Sequence, residues 1–240
     1  MPELNATDGD PEPYVDRSRL AVALDLEDSG DALALAKELA PWFGVAKVGY
    51  ELYAAAGPAI VEPLRALDMQ VFLDLKLHDI PTTVGRGARV LGRLGATYLN
   101  FHAAGGEAML RAGVEGFAAG AAEAGHSAPV SLGVTVLTSD QPDEGLLIQR
   151  ASTAAAAGCG GVVCAATDVG QVRTVFRNAV TMVPGIRTEG AGVDDQVRVA
   201  TPVQAFNLGA DVIILGRSVT RADDPTAVAA GLFASLSRLG

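Results

Sequence analysis

The sequence predicts an α/β chain folded as a single (β/α)8 TIM barrel, and three observations predict it. Eight short apolar runs recur along 240 residues, segments of helical period separate them, and the turn after the first run, Asp25-Leu26-Glu27-Asp28, lacks the glycines of a dinucleotide-binding sheet. A length near 250 residues and a hydrophobic content of 49% suit one barrel with one large core.

The runs are Leu20 to Asp25, Val45 to Gly49, Val71 to Lys76, Tyr98 to His102, Val130 to Val136, Gly161 to Ala165, Val180 to Val183 and Val212 to Leu215. They are nearly continuous in Val, Ile, Leu and Ala, the pattern of parallel strands covered on both faces. Helices are expected outside them. Leu35, Leu39 and Phe43 give the first its apolar stripe, with Ser29 as its N-cap. Asp68 precedes the third strand, Gly95 closes the third helix, and Asp224 with Pro225 opens the last at cap and first-turn positions. Met1 to Asp16 carries five acidic residues and three prolines, so residues 1–18 are expected to form a flexible acidic tail and residues 19–240 the catalytic barrel.

Charge and composition exclude several classes. A net charge of −10 repels polyanions and anionic membranes, so no nucleic-acid or membrane partner is expected and any anionic ligand needs a local cationic pocket. No apolar run is long enough to span a bilayer, and the N-terminus lacks the order of a signal peptide. Cys159 and Cys164 suggest neither a disulfide framework nor a metal site, which points to the reducing cytoplasm.

Barrel sites form at the C-terminal ends of strands, so charged residues that close apolar runs are the candidates. They are Asp25, Lys47, Asp74, Lys76, His102 and Arg217. The chain has only three lysines, Lys37, Lys47 and Lys76, against fifteen arginines, and two of the three fall inside strands. Lysine is a compact charge that can give up a proton, which arginine does not. In an extended strand Asp74 and Lys76 point to one side while Asp79 lies beyond its end. Lys47 from the neighbouring strand would complete an alternation of charges. His78 and His102 are read as supporting groups, and His126 as a loop residue.

Pro184-Gly185-Ile186-Arg187 follows the seventh strand and Gly216-Arg217-Ser218 the eighth, where barrels commonly hold phosphate. Gly216 allows close approach and Arg217 offers a bidentate fork. Thr188 to Gln196 is long and polar for a βα connection and reads as a mobile lid, with Gln196 bridging anion and base on closure.

Taken together, Ala23-Leu24-Asp25, Lys47-Val48-Gly49, Phe72 to Pro81 (FLDLKLHDIP), Val136-Leu137-Thr138-Ser139, Pro184-Gly185-Ile186-Arg187, Asp194-Asp195-Gln196 and Leu215-Gly216-Arg217 resemble the orotidine 5'-phosphate decarboxylase family, across nearly the whole barrel. The resemblance implies a cofactor-free decarboxylase that converts orotidine 5'-phosphate to UMP and CO2, with Lys76 as proton donor and Asp74, Asp79 and Lys47 in the catalytic set. It further implies that Asp25 and Lys47 bind the ribose hydroxyls, that Thr138 reads the pyrimidine, and that Arg187, Gln196, Gly216 and Arg217 hold the phosphate. The family is homodimeric with shared sites, so Asp79, Ile80 and Thr83 would reach the partner's ligand. A related branch with the same D-x-K-x-x-D segment uses Mg and is expected to carry a metal-binding glutamate on strand two. Here Lys47 stands, an ammonium that repels a divalent cation.

Overall fold

In a computed structural model, which describes residues 16–137, 144–187 and 198–236, the strands close into a barrel in chain order, with β1 paired to β8 and every pairing parallel. They are β1 (Leu20–Ala23), β2 (Val45–Val48), β3 (Gln70–Leu77), β4 (Tyr98–His102), β5 (Val130–Val134), β6 (Gly161–Val163), β7 (Val180–Ile186) and β8 (Val212–Leu215). The helices are α1 (Ser29–Leu39), α2 (Tyr50–Ala56), α3 (Val61–Ala66), α4 (Pro81–Gly92), α5 (Gly106–Glu123), α6 (Glu144–Ala156), α7 (Val169–Val175), α8 (Pro202–Asn207), α9 (Arg217–Thr220) and α10 (Pro225–Leu236).

Alternation along the strands divides the core in two. Leu20, Val22, Ala46, Val48, Val71 and Leu73 face the helices, while Ala21, Val45, Phe72, Tyr98, Leu132, Met182 and Ile214 fill the barrel interior. Each large apolar side chain so buried contributes about 1.5–3 kcal/mol relative to exposure. The inward residue two places further along a strand lies nearer its C-terminal end, and this parity puts Lys47 after Val45, Asp74 after Phe72 and Asn100 after Tyr98.

Outside the barrel, α4 and α5 pack with their backbones in contact. A Cβ on Gly116 would collide with the Gly85 backbone, and one on Gly120 with the Arg89 carbonyl. That seats α4, and the β3 end that leads into it, firmly against the neighbouring βα unit.

Three local expectations are corrected. Asp28, not Ser29, is the N-cap of α1, its carboxylate accepting from the Asp31 N–H at 2.9 Å. Phe43 lies beyond α1 and is buried in the loop that leads to β2. Strand β7 runs three residues past Val183, because Pro184 and Gly185, expected to follow the strand, instead occupy an irregularity within it where the β7–β8 register shifts. At the start of the described chain, Asp16 caps a 3-10 turn (Arg17–Arg19), and Arg17 donates to the Ala40 carbonyl at 2.8 Å and pairs with Asp68. Among the described residues no helix is long and apolar enough to cross a membrane.

Candidate active site

The inward charges meet at the C-terminal mouth of the barrel. A cavity of about 610 Å³ opens there between Asp25, Lys47, Asp74 and Lys76 on one side and Gly185, Arg187, Gly216 and Arg217 on the other, above Ala23, Val134, Val163 and Ile214. The residues expected at the catalytic and phosphate ends thus line one cavity.

The four charges form an alternating chain. Lys47 Nζ lies 2.8 Å from Asp25 Oδ1 and 3.6 Å from Asp74 Oδ2, and Lys76 Nζ lies 2.6 Å from Asp74 Oδ1. Asp25 is half exposed, whereas the side chains of Lys47 and Asp74 are 9% and 15% exposed. A Cβ on Gly49 would fall 2.6 Å from Asp25 Oδ1 and 3.1 Å from Lys47 Nζ, so the glycine after β2 leaves room for the first pair. Burial alone would push the Asp74 carboxyl up. The ammonium groups of Lys47 and Lys76, with hydrogen bonds from Lys76 and Asn100, outweigh it and hold Asp74 below the usual carboxylate range. Its share of folding stability is therefore complete above the ordinary carboxylate pKa and is lost as pH falls through the lowered value.

Lys76 meets Asp74 by a different route from simple alternation. The β3–β4 register shifts between Leu73 and Leu77, and Lys76 has φ +44°, a left-handed conformation unusual for a residue with a side chain. The Leu75 carbonyl accepts from Tyr50 Oη at 2.7 Å and the Lys76 N–H donates to Asn100 Oδ1 at 2.7 Å. Asn100, fully buried, also donates from Nδ2 to Asp74 Oδ1 at 2.7 Å. Since Lys76→Gly and Lys76→Ala both delete the ammonium, they differ mainly in backbone. The left-handed position should make the glycine variant the more stable by about 1 kcal/mol, against the usual order, when both are unfolded in urea.

At the opposite wall, the Arg187 N–H donates to the Ala200 carbonyl at 3.0 Å and the Ala200 N–H to the Gly185 carbonyl at 3.1 Å, which fixes the backbone carrying Arg187. A Cβ on Gly216 would meet only the Ala23 side chain, at 3.7 Å, so the room beside it is open to a ligand. Arg217 begins α9 immediately after it. A buried pair that the sequence does not single out lies nearby: Arg198 donates to Asp168 at 2.5 Å and to the Leu137 carbonyl at 3.1 Å, tying together the segments that follow β5, β6 and β7.

Asp79, Ile80 and Thr83 stand apart from this cavity, exposed at the start of α4, with Ile80 at 65%. Asp79 Oδ1 accepts from the Ile80 N–H at 2.6 Å. Thr138 and Gln196, and the loop containing Gln196, lie outside the described residues. The His78 and His102 rings sit 5.4 Å apart, and neither is among the described residues lining the cavity. Among the described residues no cluster of three or more His, Cys, Asp or Glu side chains could hold a metal ion.

Comparison with known proteins agrees with this fold. The pattern of the orotidine 5'-phosphate decarboxylase / HUMPS family matches residues 18–232. The chain is similar to the orotidine 5'-phosphate decarboxylase of Anaeromyxobacter dehalogenans, at 44% identity over 91% of this chain and 98% of that one. It is likewise similar to that of Thermobifida fusca, at 43% identity over 92% and 97%. The crystal structure of orotidine 5'-phosphate decarboxylase from Lactobacillus acidophilus superposes with a TM-score of 0.76 at 33% identity, covering 90% of this chain and 98% of that one.

Proposed function

The chain belongs to the orotidine 5'-phosphate decarboxylase / HUMPS family, and from that premise we propose that it decarboxylates orotidine 5'-phosphate to UMP and CO2, as a carboxy-lyase of pyrimidine biosynthesis. The observation that carries the reading is the Asp25–Lys47–Asp74–Lys76 chain facing Arg187 and Arg217 across one cavity. Lys47, bonded to Asp25 and beside Asp74, occupies the place where the Mg-dependent branch is expected to carry a glutamate.

In the proposed mechanism the substrate carboxylate lies against Asp74, whose lowered pKa keeps it anionic. The bond from ring to carboxylate breaks, CO2 leaves, and the electron pair stays on the pyrimidine ring. The Lys76 ammonium stabilises that carbanion and gives it a proton. Two unit charges 4 Å apart at an effective dielectric of 20 interact by about 4 kcal/mol, while large enzymatic accelerations need roughly 8–23 kcal/mol. One ion pair is insufficient. Phosphate and ribose contacts, made by Arg187, Gly216 and Arg217 at one end and by Asp25 and Lys47 at the other, supply binding energy realised at the transition state. Thr138 and Gln196 complete the pyrimidine and phosphate contacts in this reading.

The enzyme works as a cytoplasmic homodimer without a cofactor. Asp79, Ile80 and Thr83, exposed and turned away from their own cavity, then complete the site of the partner subunit; the large exposed Ile80 side chain supports that placement. The deciding assay measures CO2 and UMP formation from orotidine 5'-phosphate with and without chelator. Equal turnover in both is expected. Loss on chelation, or turnover of a sugar phosphate alone, would refute the assignment.

A further inference from the structure

We propose that Asn100 and Tyr50 are positioning residues that grip the Leu75–Lys76 peptide from its two sides and so aim the Lys76 ammonium at the reacting carbon. The proposal rests on the reading of Lys76 as proton donor. Strand β2 pairs with β3 only as far as Leu73, and on the other side the β3–β4 register slips before Leu77. The peptide between therefore takes its partners from side chains. Tyr50, on the helix that follows β2, supplies the donor to the Leu75 carbonyl, and Asn100, from the interior face of β4, supplies the acceptor for the Lys76 N–H.

The left-handed Lys76 backbone is strained for a residue with a side chain, so it persists only if neighbouring contacts outweigh its relaxation. Relaxation would rotate this peptide and swing the side chain with it. Asn100 opposes that at two points, because Asp74 Oδ1, which accepts from its Nδ2 at 2.7 Å, also lies 2.6 Å from Lys76 Nζ. One amide thus sets the backbone of the donor and the carboxylate that orients its head. Tyr50 acts from the open side, its ring centroid 5.8 Å from Lys76 Nζ. An amide with no exposed surface, whose bonds among the described residues go to Lys76 and Asp74, is placed for them and not for general packing.

The test compares Asn100→Ala, Tyr50→Phe and Lys76→Ala for turnover of orotidine 5'-phosphate and for UMP affinity by calorimetry. Misplacing a reacting group by about 1 Å costs about 100-fold, so Asn100→Ala should lower kcat by about that factor while UMP affinity stays within about threefold. Its kcat profile should also lose activity at higher pH on the acid side, since Asp74 forfeits a hydrogen bond that lowers its pKa. Tyr50→Phe, at an exposed position that does not threaten folding, should lower kcat by about tenfold with UMP affinity kept, and it decides the matter if Asn100→Ala does not fold. Turnover within about twofold of the parent in a folded Asn100→Ala or Tyr50→Phe, an unmoved acid limb in Asn100→Ala, or UMP affinity falling in step with kcat would overturn the proposal. An inactive Lys76→Ala beside unaffected clamp variants would sink the clamp alone, whereas an active Lys76→Ala would sink the lysine's role.

Discussion

Replacing Lys76 by alanine is expected to lower kcat for orotidine 5'-phosphate by about 10³-fold or more, since in the proposed mechanism it removes both the proton donor and a charge that stabilises the carbanion. The fold should survive. Asp74 keeps Lys47 at 3.6 Å and the Asn100 amide at 2.7 Å, so its carboxylate is not stranded, and the left-handed backbone is the remaining local cost. UMP, which lacks the departing carboxylate, should bind the variant nearly as well as the parent. Steady-state rates of UMP formation, set beside UMP titrations, separate the two effects; near-normal turnover would remove Lys76 from the chemistry.

Arg217→Ala should cost about 10²–10³-fold in kcat/KM for the phosphorylated substrate, because a guanidinium contact with phosphate is charge-assisted and bidentate. Part of that loss should fall on kcat. Arg217 lines the same cavity as Lys76, and binding energy from contacts away from the reacting atoms is expressed at the reacting centre. The nucleoside orotidine, which has no phosphate, supplies the control: its slow decarboxylation should be almost indifferent to the substitution. An unchanged rate with orotidine 5'-phosphate would show that the phosphate lies elsewhere.

Much of this was legible in the sequence because parallel strands covered on both faces must be apolar, so each inward charge stood out. Asp25, Lys47, Asp74 and Lys76 were found in that way, and the structure brings them together. Asn100 carries the same signal, a polar residue inside an apolar strand, but being uncharged it stands out less than His102 at the strand end. Tyr50 left no trace, since it acts on a backbone carbonyl that any residue could provide. The β3 irregularity was equally hidden. Alternation put Asp74 and Lys76 on one side, and they do meet, but through a bulge whose partners come from outside the strand. Pro184-Gly185 is the opposite case, because proline and glycine signal a strand end while here they sit in an irregularity inside β7.

The pairing of β1 with β8 has a consequence for the order in which the molecule is made. Asp25 follows the first strand of the barrel and Arg217 the last, and only the β1–β8 seam brings the two together on one cavity. A nascent chain could assemble the Asp74–Lys76 end early, from neighbouring strands, yet would have no Arg217 to oppose it. A ligand held at both ends can therefore stabilise this fold only after synthesis of β8, and until then the growing chain depends on its strand and helix packing for that contribution.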